Sequence, residues 1–224
     1  MPARFLLLGD SHADCVGRAA RQAGLPFVGG PVGSGRDFLG PFFDVGDGDG
    51  EPVLRDKQAR RLVREFLDAL EVTGLAGLEV PLVCTFGLSV HTVATRQNWD
   101  IHRDGHGTVP EGFLRSGLFA DLVRAAVRGA LAFYEHTAAL GLRVLAPLPP
   151  QRVPGMSEAA VFLAAQTVIG AELAARGVEI VDLRARVTDG SGRQRPVFCQ
   201  ADDTIHGNLA FGRLVVAELL DRGL

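Results

Sequence analysis

Short uninterrupted apolar runs recur along this chain, at Phe5–Leu8, inside 78–86, at Leu142–Leu148 and at Val178–Leu183, and longer stretches of helical periodicity separate them. A run with no polar position on either side of the pleat suits a strand buried on both faces. Such strands belong to parallel sheets covered by helices. Pro26–Val28 reads as a further, brief strand. Between the runs, Ser11–Ala23 carries Cys15, Val16, Ala19, Ala20 and Ala23 at helical spacing, with Gly24 as a C-terminal stop. Asp56–Leu70 carries Ala59, Leu62, Val63, Phe66, Leu67 and Leu70 on one stripe. Leu118–Leu140 predicts one long helix ended by Gly141. Ser157–Arg176 predicts another, with Ser157 as N-cap and Gly177 as stop, and a last helix runs from about Asn208 to Asp221. Residues 41–54 fit a hairpin. Strand and helix alternate from end to end, which predicts an α/β protein with a parallel sheet, helices on both faces and right-handed crossovers. No linker, repeat or low-complexity segment interrupts residues 1–224, so a single domain is expected.

Composition narrows the function classes. The 26 acidic and 23 basic residues leave a net charge of −3, which argues against nucleic acid as a partner, since that binding rests on excess positive charge. No stretch approaches the roughly 20 apolar residues that cross a bilayer. The Phe5–Leu8 run meets Gly9-Asp10 at once and is too short for a signal peptide. A cytoplasmic protein with no membrane partner is therefore expected. The 3 cysteines, Cys15, Cys84 and Cys199, are odd in number and form no CxxC, so neither a disulfide framework nor a zinc ribbon is indicated. Each is expected to pack as a small hydrophobe.

In open α/β sheets, ligands sit beyond the carboxyl ends of the strands. The segments just after the strands then matter most: Gly9–His12, Gly29–Arg36, Gly87–His91, Pro149–Pro154 and 184–206. The first contains Gly9-Asp10-Ser11-His12, which places a serine hydroxyl at the sheet edge and its amide at a helix N-terminus, where developing negative charge is favoured. Alone, Ser11 equally suits a plain N-cap. The last contains Asp203-Thr204-Ile205-His206. A carboxylate three residues before an imidazole can fix its tautomer while the other ring nitrogen faces a nucleophile. Alone, this is also an acidic helix start with a surface histidine. The two segments lie at opposite ends of the chain, yet both open onto one sheet edge, so the groups can converge.

With both motifs in hand, the sequence resembles the SGNH (GDSL-type) hydrolase superfamily. The resemblance is carried by residues 5–33 and 203–212, and alternation and length agree elsewhere. It implies a flavodoxin-like three-layer α/β/α sandwich with a central parallel five-stranded sheet. It also implies an esterase that needs no metal or other cofactor, with Ser11 as nucleophile, His206 as general base and Asp203 as its orienting acid. The Ser11 amide and that of Gly33, in Val32-Gly33-Ser34-Gly35-Arg36, would form the oxyanion hole, with Gly35 in reserve. The family's Gly-x-Asn block maps onto Gly87-Leu88-Ser89, where the Asn is absent. Ser89 or Asn98 is the candidate replacement donor, or the donor is simply missing. The implied substrate is a small-molecule or carbohydrate ester, such as an O-acetyl or other short acyl ester. His12, His91 and Trp99 are candidate substrate contacts, although packing is the default for a large aromatic. Two other readings stay open, an acyltransferase to a sugar or other alcohol and a non-catalytic binding domain of the same fold. The sequence sets no oligomeric state.

Other motifs fail on their chemistry. Gly30 to Gly35 has the phosphate-loop gap, but Arg36-Asp37 replaces the required Lys-Ser/Thr. Gly9-Asp10-Ser11-His12-Ala13 nearly fits the nucleophile elbow of α/β-hydrolases, yet there the acid and base are far apart in sequence. His102 and His106 have four-residue spacing, but Gly105 and the neighbouring charges argue against a helix there, so no metal site is expected. Asp44 to Glu51 lacks a glycine at position six and the distant glutamate of a calcium loop.

Overall fold

The structure is a computed structural model and describes residues 2–46 and 50–224. In chain order its elements are β1 (Leu6–Gly9), α1 (Ala13–Gln22), β2 (Val28–Pro31), β3 (Phe43–Val45), β4 (Pro52–Leu54), α2 (Lys57–Ala69) and β5 (Leu82–Cys84). There follow α3 (Val90–Val93), α4 (Glu111–Leu114), α5 (Gly117–Ala126), α6 (Arg128–Ala139), β6 (Val144–Pro147), α7 (Ala159–Ala175), β7 (Glu179–Val181), α8 (Arg184–Val187) and α9 (Leu209–Asp221). Side chains cap several helices as their sequences require. Asp56 accepts from the Ala59 amide at 2.8 Å, the Ser116 hydroxyl from the Phe119 amide at 3.2 Å, and Asn208 from the amides of Ala210 and Phe211 at 2.9 and 3.1 Å.

The central sheet has five strands in the order β2-β1-β5-β6-β7, and every pairing is parallel. Strand alternation divides its side chains between two cores. Leu6, Leu8, Leu82, Cys84, Val144 and Ala146 pack with residues of α5, α6 and α7 on one face. Phe5, Leu7, Val83, Leu145 and Val181 pack with α1 and α9 on the other. This is the three-layer α/β/α sandwich that the alternation predicts. The chain proceeds outward to β2 after β1 and then crosses back to β5, so the switch point lies between β1 and β5. That crevice is where such folds place their ligands.

The outer strand, the longest helix and one cap differ from expectation. β2 is formed by Val28-Gly29-Gly30-Pro31 rather than by the more apolar Pro26–Val28. Its backbone lies so close to β1 that a Cβ at Gly29 would sit 2.0 Å from the Leu7 carbonyl oxygen, and φ there is 110°. Glycine meets both demands, and Pro31 is tolerated because β2 is an edge strand. The helix expected over Leu118–Leu140 is broken at Val127 into α5 and α6. The Gly129 amide donates to the Leu39 carbonyl at 2.9 Å, and a Cβ at Gly129 would meet the Gly40 carbonyl oxygen at 1.8 Å. The break lets the 39–40 segment dock against the helix. Ser157 is not the cap of α7. Glu158 occupies that position, and the Ser157 hydroxyl donates to the His91 carbonyl at 3.0 Å. The expected hairpin is present as antiparallel β3 and β4, although residues 47–49 of its turn, and with them part of the Asp44–Glu51 segment, lie outside the described residues. Cys15 and Cys84 are buried, and Cys199 is partly buried. Among the described residues, no helix is long and apolar enough to cross a membrane.

Candidate active site

The turn after β1 is built by Asp10. Its Oδ1 accepts the His12 amide at 2.9 Å, and its carbonyl accepts the Ala13 amide at 3.0 Å, so the chain reverses tightly into α1 with Ser11 at the bend. The carboxylate is fully buried and also receives the hydroxyls of Ser89 at 3.1 Å and Thr85 at 3.3 Å. Burial pushes its pKa from 3.8 up to about 6, against the opposing pull of the His12 amide, the two hydroxyls and the charge on His206. Asp10 therefore ties the tips of β1 and β5 together beneath the serine.

The opposite side comes from the loop before α9. Cys199 and Gly207 bridge antiparallel, the Gln200 amide donates to the His206 carbonyl at 3.1 Å, and the Asn208 amide donates to the Phe198 carbonyl at 3.1 Å. Arg152, just after β6, reaches into this loop. Its guanidinium donates to the carbonyls of Gln200 at 2.9 Å and His206 at 2.8 Å, and to that of Asp203. Asn208 adds bonds to the carbonyls of Val197 at 2.9 Å and Cys199 at 3.1 Å. Neither Arg152 nor Asn208 stands in a motif that marks it for this role in the sequence. The one available signal was that Arg152 lies in the segment after a strand, at the functional edge.

The two ends of the chain meet here. The Ser11 Oγ lies 2.7 Å from His206 Nε2, and His206 Nδ1 lies 2.6 Å from Asp203 Oδ2. Asp203 Oδ1 accepts the amides of Ile205 at 2.6 Å and His206 at 2.7 Å. Partial burial would raise the Asp203 pKa, but the imidazole and the two amides outweigh it and hold the carboxyl at about 2. A hydroxyl, an imidazole and an ionised carboxylate thus form one continuous line of hydrogen bonds. That line can move a proton from the serine onto the ring while the carboxylate stabilises the cation.

A cavity of about 400 Å³ opens over Ser11, lined also by His12, Arg18, Gly33, Gln200 and His206. Gly33 is brought there by β2, because the Val32 amide extends the strand pairing by donating to the Gly9 carbonyl at 2.8 Å. Among the described residues, none accepts a hydrogen bond from the Ser11 or Gly33 amide. His12 is 6% exposed, with its ring centroid 4.9 Å from that of His206.

The remaining site candidates fall elsewhere. Ser89 is buried and its hydroxyl is engaged by Asp10. The Asn98 side chain is exposed and binds the carbonyls of Thr92 and Val93, at 3.4 and 3.5 Å, so it does not reach the cavity. Trp99 is a core residue. It is 4% exposed, its Nε1 donates to the Val93 carbonyl at 2.8 Å, and it packs on Phe113 and Phe119. This is the packing role that is the default for a large aromatic, and short helical segments fold the polar loop back onto the core to provide it. His91 does not line the Ser11 cavity. It sits behind His12 in a closed crevice shared with Ser89 and Ile205.

No protein-family model matches the chain, and no curated protein matches it. Solved structures do. A GDSL-like lipase from Bacteroides thetaiotaomicron VPI-5482 superposes with a TM-score of 0.51 at 13% identity, over 99% of this chain and 89% of the other. A protein from Slackia heliotrinireducens assigned to the SGNH hydrolases superposes with a TM-score of 0.50 at 15% identity, over 99% of this chain and 98% of the other. At these identities the likeness is one of fold, and the fold of this chain is that of the SGNH hydrolases, as its first and last motifs led us to expect.

Proposed function

We propose that the protein is a serine esterase that hydrolyses a small carboxylic ester through an acyl-enzyme. The observation that carries this reading is the unbroken line from Ser11 through His206 to Asp203, at 2.7 and 2.6 Å, beside a cavity bordered by two backbone amides that have no acceptor among the described residues. The fold shared with a GDSL-like lipase supports it. Ser11 Oγ attacks the acyl carbon as its proton passes to His206 Nε2. The carbonyl oxygen takes up negative charge facing the amides of Ser11 and Gly33. Collapse of the tetrahedral intermediate breaks the C–O bond, and His206 returns its proton to the leaving alkoxide. A water then loses a proton to His206 and attacks the acyl carbon, releasing the acid and restoring Ser11. Asp203 stays ionised throughout, holding the Nδ1–H tautomer. A cavity of about 400 Å³ suits an O-acetyl or other short acyl ester of a small molecule or a carbohydrate.

The test is labelling with a fluorophosphonate and mapping of the adduct. Ser11 is the expected site, and p-nitrophenyl acetate turnover should vanish in Ser11→Ala. An adduct elsewhere, or turnover that survives the substitution, rules the reading out. Hydrolysis that gives way to transfer when a sugar acceptor is added would mark the protein as an acyltransferase instead.

A further inference from the structure

Two amides make a sparse oxyanion site. The position that would bring a side-chain donor after β5 is Ser89, and its hydroxyl is bound to Asp10. Asn98 is bound to α3. One buried polar side chain on the cavity wall has no such commitment. His12 is more than nine-tenths buried, it lines the same cavity as Ser11 and Gly33, and among the described residues nothing hydrogen-bonds its ring nitrogens. Its backbone is fixed by the bond from its amide to Asp10 Oδ1 at 2.9 Å, and its ring lies at 49° to that of His206. An unpartnered imidazole on the cavity wall keeps hydrogen-bonding capacity to offer, and in this cavity the candidate partner is the substrate.

We propose that His12 is a third oxyanion donor, whose ring N–H takes the place of the side-chain amide missing after β5. The inference rests on the esterase reading above. The ring is suited to the task because it stays neutral. Burial first, and then the charge on His206, lower its pKa from 6.5 to about 3, with Asp203 opposing only in part. A neutral imidazole keeps one N–H and is a competent donor to a developing oxyanion. Being uncharged, it adds no second titration to the proton traffic at His206.

The experiment compares His12→Leu and His12→Asn with the wild type on p-nitrophenyl acetate, with a crystal structure of the wild type phosphonylated on Ser11. Loss of one oxyanion donor costs about 100–1000-fold in kcat, so His12→Leu should lose that much with KM nearly unchanged. His12→Asn restores a donor and should recover about tenfold or more over the leucine variant. Its kcat–pH profile should keep the wild-type shape. In the adduct, a His12 ring nitrogen should lie within about 3.2 Å of the phosphonyl oxygen. A leucine variant as fast as wild type, an asparagine variant no better than the leucine one, or a phosphonyl oxygen out of reach of the ring would each overturn the proposal. The crystal structure decides even if both variants fold poorly. A wild type that neither labels at Ser11 nor turns over substrate defeats the esterase reading and this inference together. A working wild type with indifferent His12 variants defeats the inference alone.

Discussion

At the scale of single residues, Asp203 is the group whose chemistry is most tightly specified. One carboxylate oxygen accepts two backbone amides and the other faces His206 Nδ1 at 2.6 Å, an arrangement that accounts for its depressed pKa. In Asp203→Asn, Oδ1 can keep both amide bonds, but the carboxamide NH2 then faces the ring and demands the wrong tautomer of His206. The Nε2 that should take the proton from Ser11 would carry one already. The expected loss is about 10³–10⁴-fold in kcat with little change in melting temperature. Steady-state kinetics and a thermal scan measure both quantities, and a loss under tenfold would remove Asp203 from the proposed mechanism. The convergence of Ser11, Asp203 and His206 was legible in the sequence because each stands in a short motif whose neighbours constrain it. Trp99 and Asn98 were not, since their environment is set by Val93, Phe113 and Phe119, and no local pattern marks those contacts.

At the scale of elements, the site depends on segments that are not themselves helix or strand. The 198–208 loop is held by a few backbone bonds, by Asn208 and by Arg152, whose side chain is 14% exposed. One cation bonded to three carbonyls is a strong clamp, because hydrogen bonds to charged groups contribute about 1.5–3 kcal/mol each. Arg152→Met keeps much of the buried stem and removes the bonds. Misplacing a catalytic pair by about 1 Å can cost on the order of 100-fold, so kcat should fall roughly 10- to 100-fold. Ser11 should remain on its turn, since β1 and Asp10 hold it independently. If kcat is unchanged in Arg152→Met, the loop is positioned by its own backbone and the clamp is dispensable. The same scale explains where sequence reading of the fold failed. β2 is glycine-rich because it must approach β1 closely, and the α5–α6 break answers to Gly40, 89 residues before Gly129. Periodicity reports the faces of isolated elements. It carries no record of a backbone that arrives from elsewhere.

At the scale of the whole molecule, the sheet edge gathers buried ionisable groups with opposed pH preferences, and their balance sets acid stability. His12 and His91 have pKa values held down, to about 3 and about 4, mainly by burial. Folded, they stay neutral below pH 6.5, whereas the unfolded chain takes up protons there. Their contribution to stability is intact above 6.5 and drains away as the pH falls toward 4 and 3. Asp10 acts in the other direction. Its pKa is raised to about 6, so between 6 and 3.8 the folded state binds a proton that the unfolded chain does not, and stability is gained on acidification. From pH 6 to 5, two uptakes by the unfolded chain therefore oppose one by the folded state. The net is a loss of stability on acidification over this interval. Asp10→Asn removes the compensating uptake, so over the same interval the loss should become roughly twice as steep. Urea denaturation at several pH values between 5 and 6 reads both slopes. Equal slopes in the two proteins would show that Asp10 is ionised in the fold across this range. The buried network that ties β1 to β5 beneath Ser11 would then be held by a charge and not by a shared proton.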